Sequence, residues 1–172
     1  MSVKIHTHIF CMAFSPDRKN IAAGGNDTKI YVWNTDTGQC ITTLAGHPMS
    51  ASSVTYSPNG KNIVSTGWDK MVRVWDIDTH SCVSTLSGHT GCVRRVVYSP
   101  DSKNITSVSE DCTARIWDIK TYRCLHTLSG HTDWVCSIAY SPDGKNIVTG
   151  SYDRTSRVWD PYTGKCISIL SG

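Results

Sequence analysis

Histidine, serine and aspartate side chains in the second quarter of the chain form a combination that could support nucleophilic catalysis. His47 would be the base, Asp69 the carboxylate that orients it, and Ser65 the hydroxyl nucleophile. The same three positions recur twice more at an interval of 42 residues, and in the last copy the hydroxyl is that of Thr149. Because an enzyme needs its catalytic set once per site, this repetition favours a structural network in which neighbouring donors satisfy a buried aspartate.

The interval of 42 residues extends over the whole chain. A tryptophan closes every copy, a Ser-Pro pair lies in phase in every copy, and a Gly-His pair opens the last three. A period of about 40–45 residues with Gly-His and Trp-Asp landmarks is typical of the four-stranded blades of a β-propeller. The closing tryptophans are Trp33, Trp75, Trp117 and Trp159, and the opening pairs are Gly46-His47, Gly88-His89 and Gly130-His131.

Short β-strands must position these residues. In the second copy, Ser57-Pro58-Asn59-Gly60 and Gly67-Trp68-Asp69-Lys70 have turn chemistry, and the runs between turns are too short for helices. A small sheet with apolar side chains on both faces needs a neighbour on each side, and stacking around an axis supplies both neighbours. The predicted strands of this copy are Ser52–Tyr56, Asn62–Thr66, Met71–Asp76 and Cys82–Leu86.

These landmarks resemble those of the WD-repeat β-propeller family over essentially the whole chain. The resemblance implies an all-β fold and, inside each blade, a hydrogen-bonded set of histidine, serine or threonine, aspartate and tryptophan. Blade one departs from this pattern, since Ile5 and Ala23 stand where histidine and hydroxyl belong and only Asp27 and Trp33 remain. We expect a single domain over residues 1–172, with blades at about 5–45, 46–87, 88–129 and 130–172. The implied network residues are His47, Ser65, Asp69 and Trp75; His89, Ser107, Asp111 and Trp117; and His131, Thr149, Asp153 and Trp159.

Composition narrows the class of partner. A net charge of +3 gives no broad basic field, which argues against a nucleic-acid partner. The sequence has no apolar run long enough to span a bilayer and no signal-peptide core at its N-terminus. We therefore expect an intracellular protein with no membrane partner, located in the cytoplasm, with the nucleus as the alternative.

The cysteines and the N-terminal histidines are the candidates for covalent or metal chemistry. Four cysteines occur in phase and so belong to different blades, and the other four form no CxxC pair, so we expect most of the eight to be small buried hydrophobic residues. His6, His8 and Cys11 are too few ligands to complete a tetrahedral metal site. We expect no disulfide framework, no metal and no cofactor. The in-phase cysteines are Cys40, Cys82, Cys124 and Cys166.

Positions that differ between the copies while staying large or polar are candidates for contact with a partner. In WD-repeat proteins the corresponding positions lie on the face around the central channel, which resembles a recognition surface for peptides and proteins. Tryptophan, tyrosine and arginine anchor interfaces, so Trp68, Arg94, Trp134 and Tyr152 lead this set. The alternative is that these loop tips vary without function and that Trp68 or Trp134 packs on its own blade. The other predicted partner-binding residues are Phe10, Asn26, Ser52, Glu110 and Cys136.

Three classes of function follow. A non-catalytic scaffold for protein interaction is the leading hypothesis. A weak nucleic-acid binder is suggested only by the Arg94-Arg95 pair and the mild positive charge. An enzyme with its site in the channel is the third, although the sequence shows no paired carboxylates, phosphate-binding glycine loop or complete metal set.

Four repeats also raise a question of assembly. WD-type blades resemble those that close as rings of about seven, and an open arc of four would expose an apolar face at blade one and another at blade four. Two arcs related by a two-fold axis would cover both faces, so the sequence predicts a homodimer that forms an eight-bladed ring. The alternatives are a piece of a longer propeller and a self-closed ring of four blades.

Overall fold

The computed structural model describes residues 7–171, and every regular element in this range is a β-strand. Sixteen strands of five or six residues follow one another along the chain. They are β1 (Ile9–Phe14), β2 (Asn20–Gly25), β3 (Lys29–Asn34), β4 (Cys40–Ala45), β5 (Ala51–Tyr56), β6 (Asn62–Gly67), β7 (Val72–Asp76), β8 (Cys82–Leu86), β9 (Val93–Tyr98), β10 (Asn104–Ser109), β11 (Thr113–Asp118), β12 (Cys124–Ser129), β13 (Val135–Tyr140), β14 (Ile147–Ser151), β15 (Thr155–Trp159) and β16 (Cys166–Ser171).

The strands form four antiparallel sheets of four consecutive strands each, which we call blades one to four. In blade two, Ser65 of β6 pairs with Val54 of β5 on one side and with Arg73 of β7 on the other. The all-β class and the four four-stranded sheets are thus as the sequence predicts. In blade two, β5 and β7 each differ from the prediction by one residue at their first position, and β6 by one residue at its last.

The first strand of each blade lies innermost. β5 contacts both β1 and β9, and β9 in turn contacts β13, so these four strands follow one another around the centre. A groove of about 430 Å³ lies along β1, β5 and β9. The fourth strand of each blade is therefore outermost, and the turn between the second and third strands lies at the opposite end of the blade from the turn between the third and fourth.

Apolar cores fill the spaces between neighbouring blades. Ile30 and Leu44 of blade one pack in one cluster with Val54 and Tyr56 of blade two, and all four are at least nine-tenths buried. The blade two/three and three/four interfaces repeat this arrangement with equivalent residues. Burial of apolar surface on both faces is what stabilises sheets this small.

The two outer faces of the arc remain exposed. Met12 and Phe14 of blade one are 68% and 62% exposed, and Leu170 of blade four is 54% exposed. Blades one and four therefore do not close on each other, which excludes the self-closed ring of four. Within the described residues, no helix has the length and apolarity needed to cross a membrane.

The prediction that most cysteines are buried was wrong. All eight are free thiols, three of them are exposed and the other five are half-buried. For the in-phase cysteines the reason is their place in the blade, since each begins the outermost strand, which has solvent on one side. The exposed thiols are those of Cys82, Cys124 and Cys166.

Candidate functional site

The network residues of blade two are joined by hydrogen bonds. His47 Nε2 lies 2.8 Å from Ser65 Oγ, and Trp75 Nε1 donates to the same oxygen at 2.8 Å. His47 Nδ1 lies 3.0 Å from both carboxylate oxygens of Asp69. The Ser65 hydroxyl is held between an imidazole and an indole N–H and is fully buried, so no substrate reaches it. The geometry is that of a structural hydrogen-bond network inside the blade.

Blades three and four have the same geometry. In each, the imidazole Nδ1 lies 2.7–2.8 Å from an aspartate oxygen, and the imidazole Nε2 and the indole Nε1 both lie 2.8 Å from the hydroxyl oxygen. Thr149 supplies the hydroxyl of blade four. The hydrogen-bonded groups are His89, Asp111, Ser107 and Trp117, and His131, Asp153, Thr149 and Trp159.

The aspartates stay ionised because of their donors. Burial alone would raise the pKa of the Asp111 carboxyl, but hydrogen bonds from His89 and Thr113 outweigh it and hold the pKa well below its usual range. Burial opposes ionisation of Asp69 as well, and hydrogen bonds from its histidine and from Arg73 lower its pKa overall. Each network therefore contains a buried carboxylate whose charge is stabilised by hydrogen bonds from neighbouring groups.

Blade one has a substitute for the network. Ala23 is buried at the hydroxyl position, and Ile5 lies outside the described residues. The Tyr31 hydroxyl donates to Asp27, a bond that raises the pKa of Tyr31 to about 12, and the Tyr31 ring stacks on Trp33 with centroids 5.5 Å apart. The sequence analysis missed this role of Tyr31. The available signal was the residue type, because the equivalent positions in the other blades are Arg73, Arg115 and Arg157.

The predicted partner-binding residues include two aromatic clusters. Phe10 of blade one stacks on Trp68 of blade two, with ring centroids 6.3 Å apart and planes 14° from parallel. Trp134 stacks on Tyr152 within blade four, with centroids 5.8 Å apart. The guanidinium carbon of Arg94, from blade three, lies 5.1 Å from the centroid of the Trp134 ring, so the second cluster joins two blades.

Arg94 is also held by an ion pair with Glu110. Its Nη2 lies 2.5 Å from Glu110 Oε1, and the two side chains are 34% and 20% exposed. The stacked aromatics still face solvent, since Trp68 is 41%, Trp134 39% and Tyr152 60% exposed. Trp134 does pack on its own blade, as the alternative interpretation proposed, whereas Trp68 packs on the neighbouring one.

Three other predicted residues use their polar side-chain atoms in hydrogen bonds within the protein. The Asn26 side-chain oxygen accepts a hydrogen bond from the backbone N–H of His8 at 3.2 Å. The Ser52 hydroxyl donates to the Val93 carbonyl in the next blade, and the Cys136 thiol donates to a carbonyl of the adjacent strand at 3.5 Å. Ser52 and Cys136 are half-buried, so their side chains mainly stabilise the local structure, whereas Asn26 is exposed.

Among the residues outside the predicted set that line the central groove, one is charged. Arg95, on β9, is exposed and borders the groove, and no ion pair within 4 Å joins it to any of the described residues. The repeat itself was the signal for it, because the equivalent positions in the other blades hold small neutral residues and a blade does not need an arginine there. Those residues are Cys11, Ser53 and Ser137.

The histidines near the N-terminus do not gather metal ligands in the described range. His8 is exposed immediately before β1, and His6 lies outside the described residues. The Cys11 thiol donates to the Gly24 carbonyl at 3.6 Å. Among residues 7–171, no group of three or more histidine, cysteine, aspartate or glutamate side chains is placed to hold a metal ion.

Comparison with known proteins gives the same repeats. The family model described as "WD domain, G-beta repeat" matches residues 1–34, 38–76, 80–118 and 122–160. Two curated relatives are both called "Periodic tryptophan protein 2 homolog". The one from Dictyostelium discoideum is 42% identical over 43 residues, which is 25% of this chain and 5% of the relative. The one from Mus musculus is 50% identical over 36 residues, which is 21% of this chain and 4% of the relative. Each alignment spans about one repeat, so the similarity concerns a small part of those proteins.

Proposed function

This chain belongs to the WD-repeat family, and from that membership we propose that it is a non-catalytic scaffold that binds a peptide or protein partner on the face around the central channel. A role in protein interaction is common to the family, since WD domains generally mediate such interactions. The observation that carries the specific site is the exposed stack of Arg94, Trp134 and Tyr152.

The stack is suited to binding because it is exposed and already ordered. Trp134 contacts both the Tyr152 ring and the Arg94 guanidinium, while Glu110 holds that guanidinium in place. Side chains that are fixed before binding lose little conformational entropy when a partner docks. Large aromatics and arginine are also the residue types that contribute most to interface affinity.

The charges on this face favour an acidic partner. Arg95 lines the groove, and Lys70 and Arg154 occupy exposed turns beside the two aromatic clusters. The Glu110 carboxylate is already paired with an arginine, which leaves Asp133 as the opposing charge next to Trp134. We therefore propose that the partner presents an extended segment with carboxylate side chains, which Arg95 would meet in the groove.

Capture from a native lysate tests the site. The immobilised wild-type chain should retain a partner that Trp68→Ala and Tyr152→Ala release, because each change removes an aromatic anchor. Tyr162→Ala is the matched control, since Tyr162 is 74% exposed and lies in the turn between the third and fourth strands, at the opposite end of blade four. Equal retention by all variants would move the site away from this face.

Arg95→Gln tests the acidic character of the partner separately. This change should weaken a partner that still depends on Tyr152, and the loss should shrink as salt is raised, because added ions screen the attraction between charges. A partner that depends on Tyr152 but not on Arg95 would leave the face as the site and remove the acidic preference.

Two other functions have less support. A nucleic-acid binder would need a wider field of free cations than this face provides, because Arg94 is already paired with Glu110. An enzyme that used the histidine, serine and aspartate sets would need accessible hydroxyls, and Ser65, Ser107 and Thr149 are fully buried.

Location and assembly complete the proposal. Three exposed free thiols suit a reducing compartment, so we propose the cytoplasm, with the nucleus as the alternative. We also propose that residues 1–172 form a single domain whose four blades are half of an eight-bladed ring completed by a second copy. The alternative is that the chain is part of a longer propeller.

A further inference from the structure

The three internal interfaces show how two blades join. One blade contributes apolar residues from its second, third and fourth strands, and the next blade contributes residues from its first strand together with an isoleucine of its second and the tryptophan of its third. At the blade two/three interface, for example, Val64 and Leu86 lie against Val96 and Tyr98, and all four are at most 8% exposed. Each blade therefore has a donor face, which packs on the following blade, and an acceptor face, which receives the preceding one.

The two ends of the arc carry the unmatched faces. Met12 and Phe14 occupy the acceptor positions of Val96 and Tyr98, at 68% and 62% exposure. On the donor face of blade four, Val148 is 38% and Leu170 54% exposed, whereas the equivalent leucines of the other blades are buried. All four of these end positions hold apolar residues, and their equivalents in the other blades are buried or half-buried, so the four side chains lack the opposing surface that covers their equivalents.

We propose that blade four of one copy packs on blade one of the other, donor face against acceptor face. This inference rests on the proposed homodimer. A two-fold axis generates the same seam a second time, so neither face is left over. The occupant of each end face is thus a second copy of this chain, in the register that the internal interfaces use.

Side-chain pairing at one internal interface supports this register. At the blade three/four interface, Thr106 and Tyr140 are joined by a hydrogen bond between hydroxyls 2.6 Å apart. The proposed seam brings the equivalent positions, Val148 and Phe14, together. Both are apolar, so the seam leaves no buried hydroxyl without a partner there.

The mass of the wild-type chain in solution tests the homodimer. We expect about twice the 18.9 kDa of one chain by light scattering at micromolar concentration. Met12→Lys and Leu170→Glu, each alone, should give folded single chains, because either change puts a charge into both seams. Leu125→Glu is the matched control, since Leu125 is 48% exposed on an outer strand away from both end faces, and this variant should remain a dimer.

Mixing the two end-face variants tests the seam itself. A dimer of one Met12→Lys chain and one Leu170→Glu chain has one wild-type seam and one seam in which the two new charges are opposite. Two-chain particles should therefore reappear when the two variants are combined. A wild-type dimer with no recovery on mixing would overturn the proposed seam while the homodimer stands. A monodisperse wild-type monomer with a cooperative melt, or a ladder of higher oligomers, would overturn both.

Discussion

The guanidinium carbon of Arg94 in blade three lies 5.1 Å from the centroid of the Trp134 ring in blade four. This contact fixes the two side chains relative to each other although they belong to different sheets. Since Glu110 holds the same guanidinium, the charge of Arg94 is partly neutralised, and its main contribution is to order the tryptophan. The binding surface that we propose is therefore built into the packing of the blades.

A hydroxyl pair across blades three and four should be measurable as stability. Tyr140→Phe should lower the free energy of unfolding by about 1–2 kcal/mol, because it leaves the fully buried Thr106 hydroxyl without its partner. Tyr98→Phe is the control, since the Tyr98 hydroxyl is buried without a partner at the equivalent position. It should be neutral or stabilise by up to about 1 kcal/mol. Urea unfolding at one protein concentration compares the two, and equal losses would contradict the assignment.

The networks of blades one and two should differ in strength. Asp69→Ala should cost about 2–4 kcal/mol, because its side chain is 5% exposed and its removal leaves His47 and Arg73 without their acceptor. Asp27→Ala should cost about 1 kcal/mol, since it loses chiefly the Tyr31 hydroxyl. Thermal unfolding measures both variants. If the two penalties were equal, the network would not be the stabilising element that we describe.

One turn position should gain stability from glycine. Ser102 has a backbone φ of 61°, in the left-handed region, and the equivalent residues Gly60 and Gly144 have φ of 72° and 71°. Ser102→Gly should stabilise the chain by about 0.5–1 kcal/mol, because glycine adopts this conformation without steric cost. Gly60→Ser is the reciprocal variant and should destabilise by a similar amount in the same unfolding assay. A loss of stability in Ser102→Gly would show that the serine side chain contributes more than the strain costs.

The period of 42 residues made the architecture predictable. Tryptophan, aspartate and Ser-Pro recur in phase, and each blade needs the same turns and the same buried positions, so one copy predicts the others. The network residues were predictable for the same reason, and the distances around His47 agree with the implied set.

Departures from the repeat were harder to predict. The role of Tyr31 depends on its hydroxyl reaching Asp27, and nothing in the spacing of the sequence fixes that distance. Cys82 is exposed because it lies on an outermost strand, which has solvent on one side. The phase of the repeat does not show which side of that strand is buried. The ordering of Trp134 by Arg94 depends on how two blades approach each other, which is a property of the assembled arc.

The most direct test of the account is the affinity of a captured partner for channel-face variants. Trp134→Ala and Tyr152→Ala should each weaken binding by about 2 kcal/mol, roughly 30-fold in Kd, with the thermal midpoint nearly unchanged, because both rings are substantially exposed. Tyr162→Ala should leave Kd as it is. Titration calorimetry on the four proteins decides the matter, and a partner that binds the wild-type chain and both channel-face variants with one Kd would contradict the proposed site.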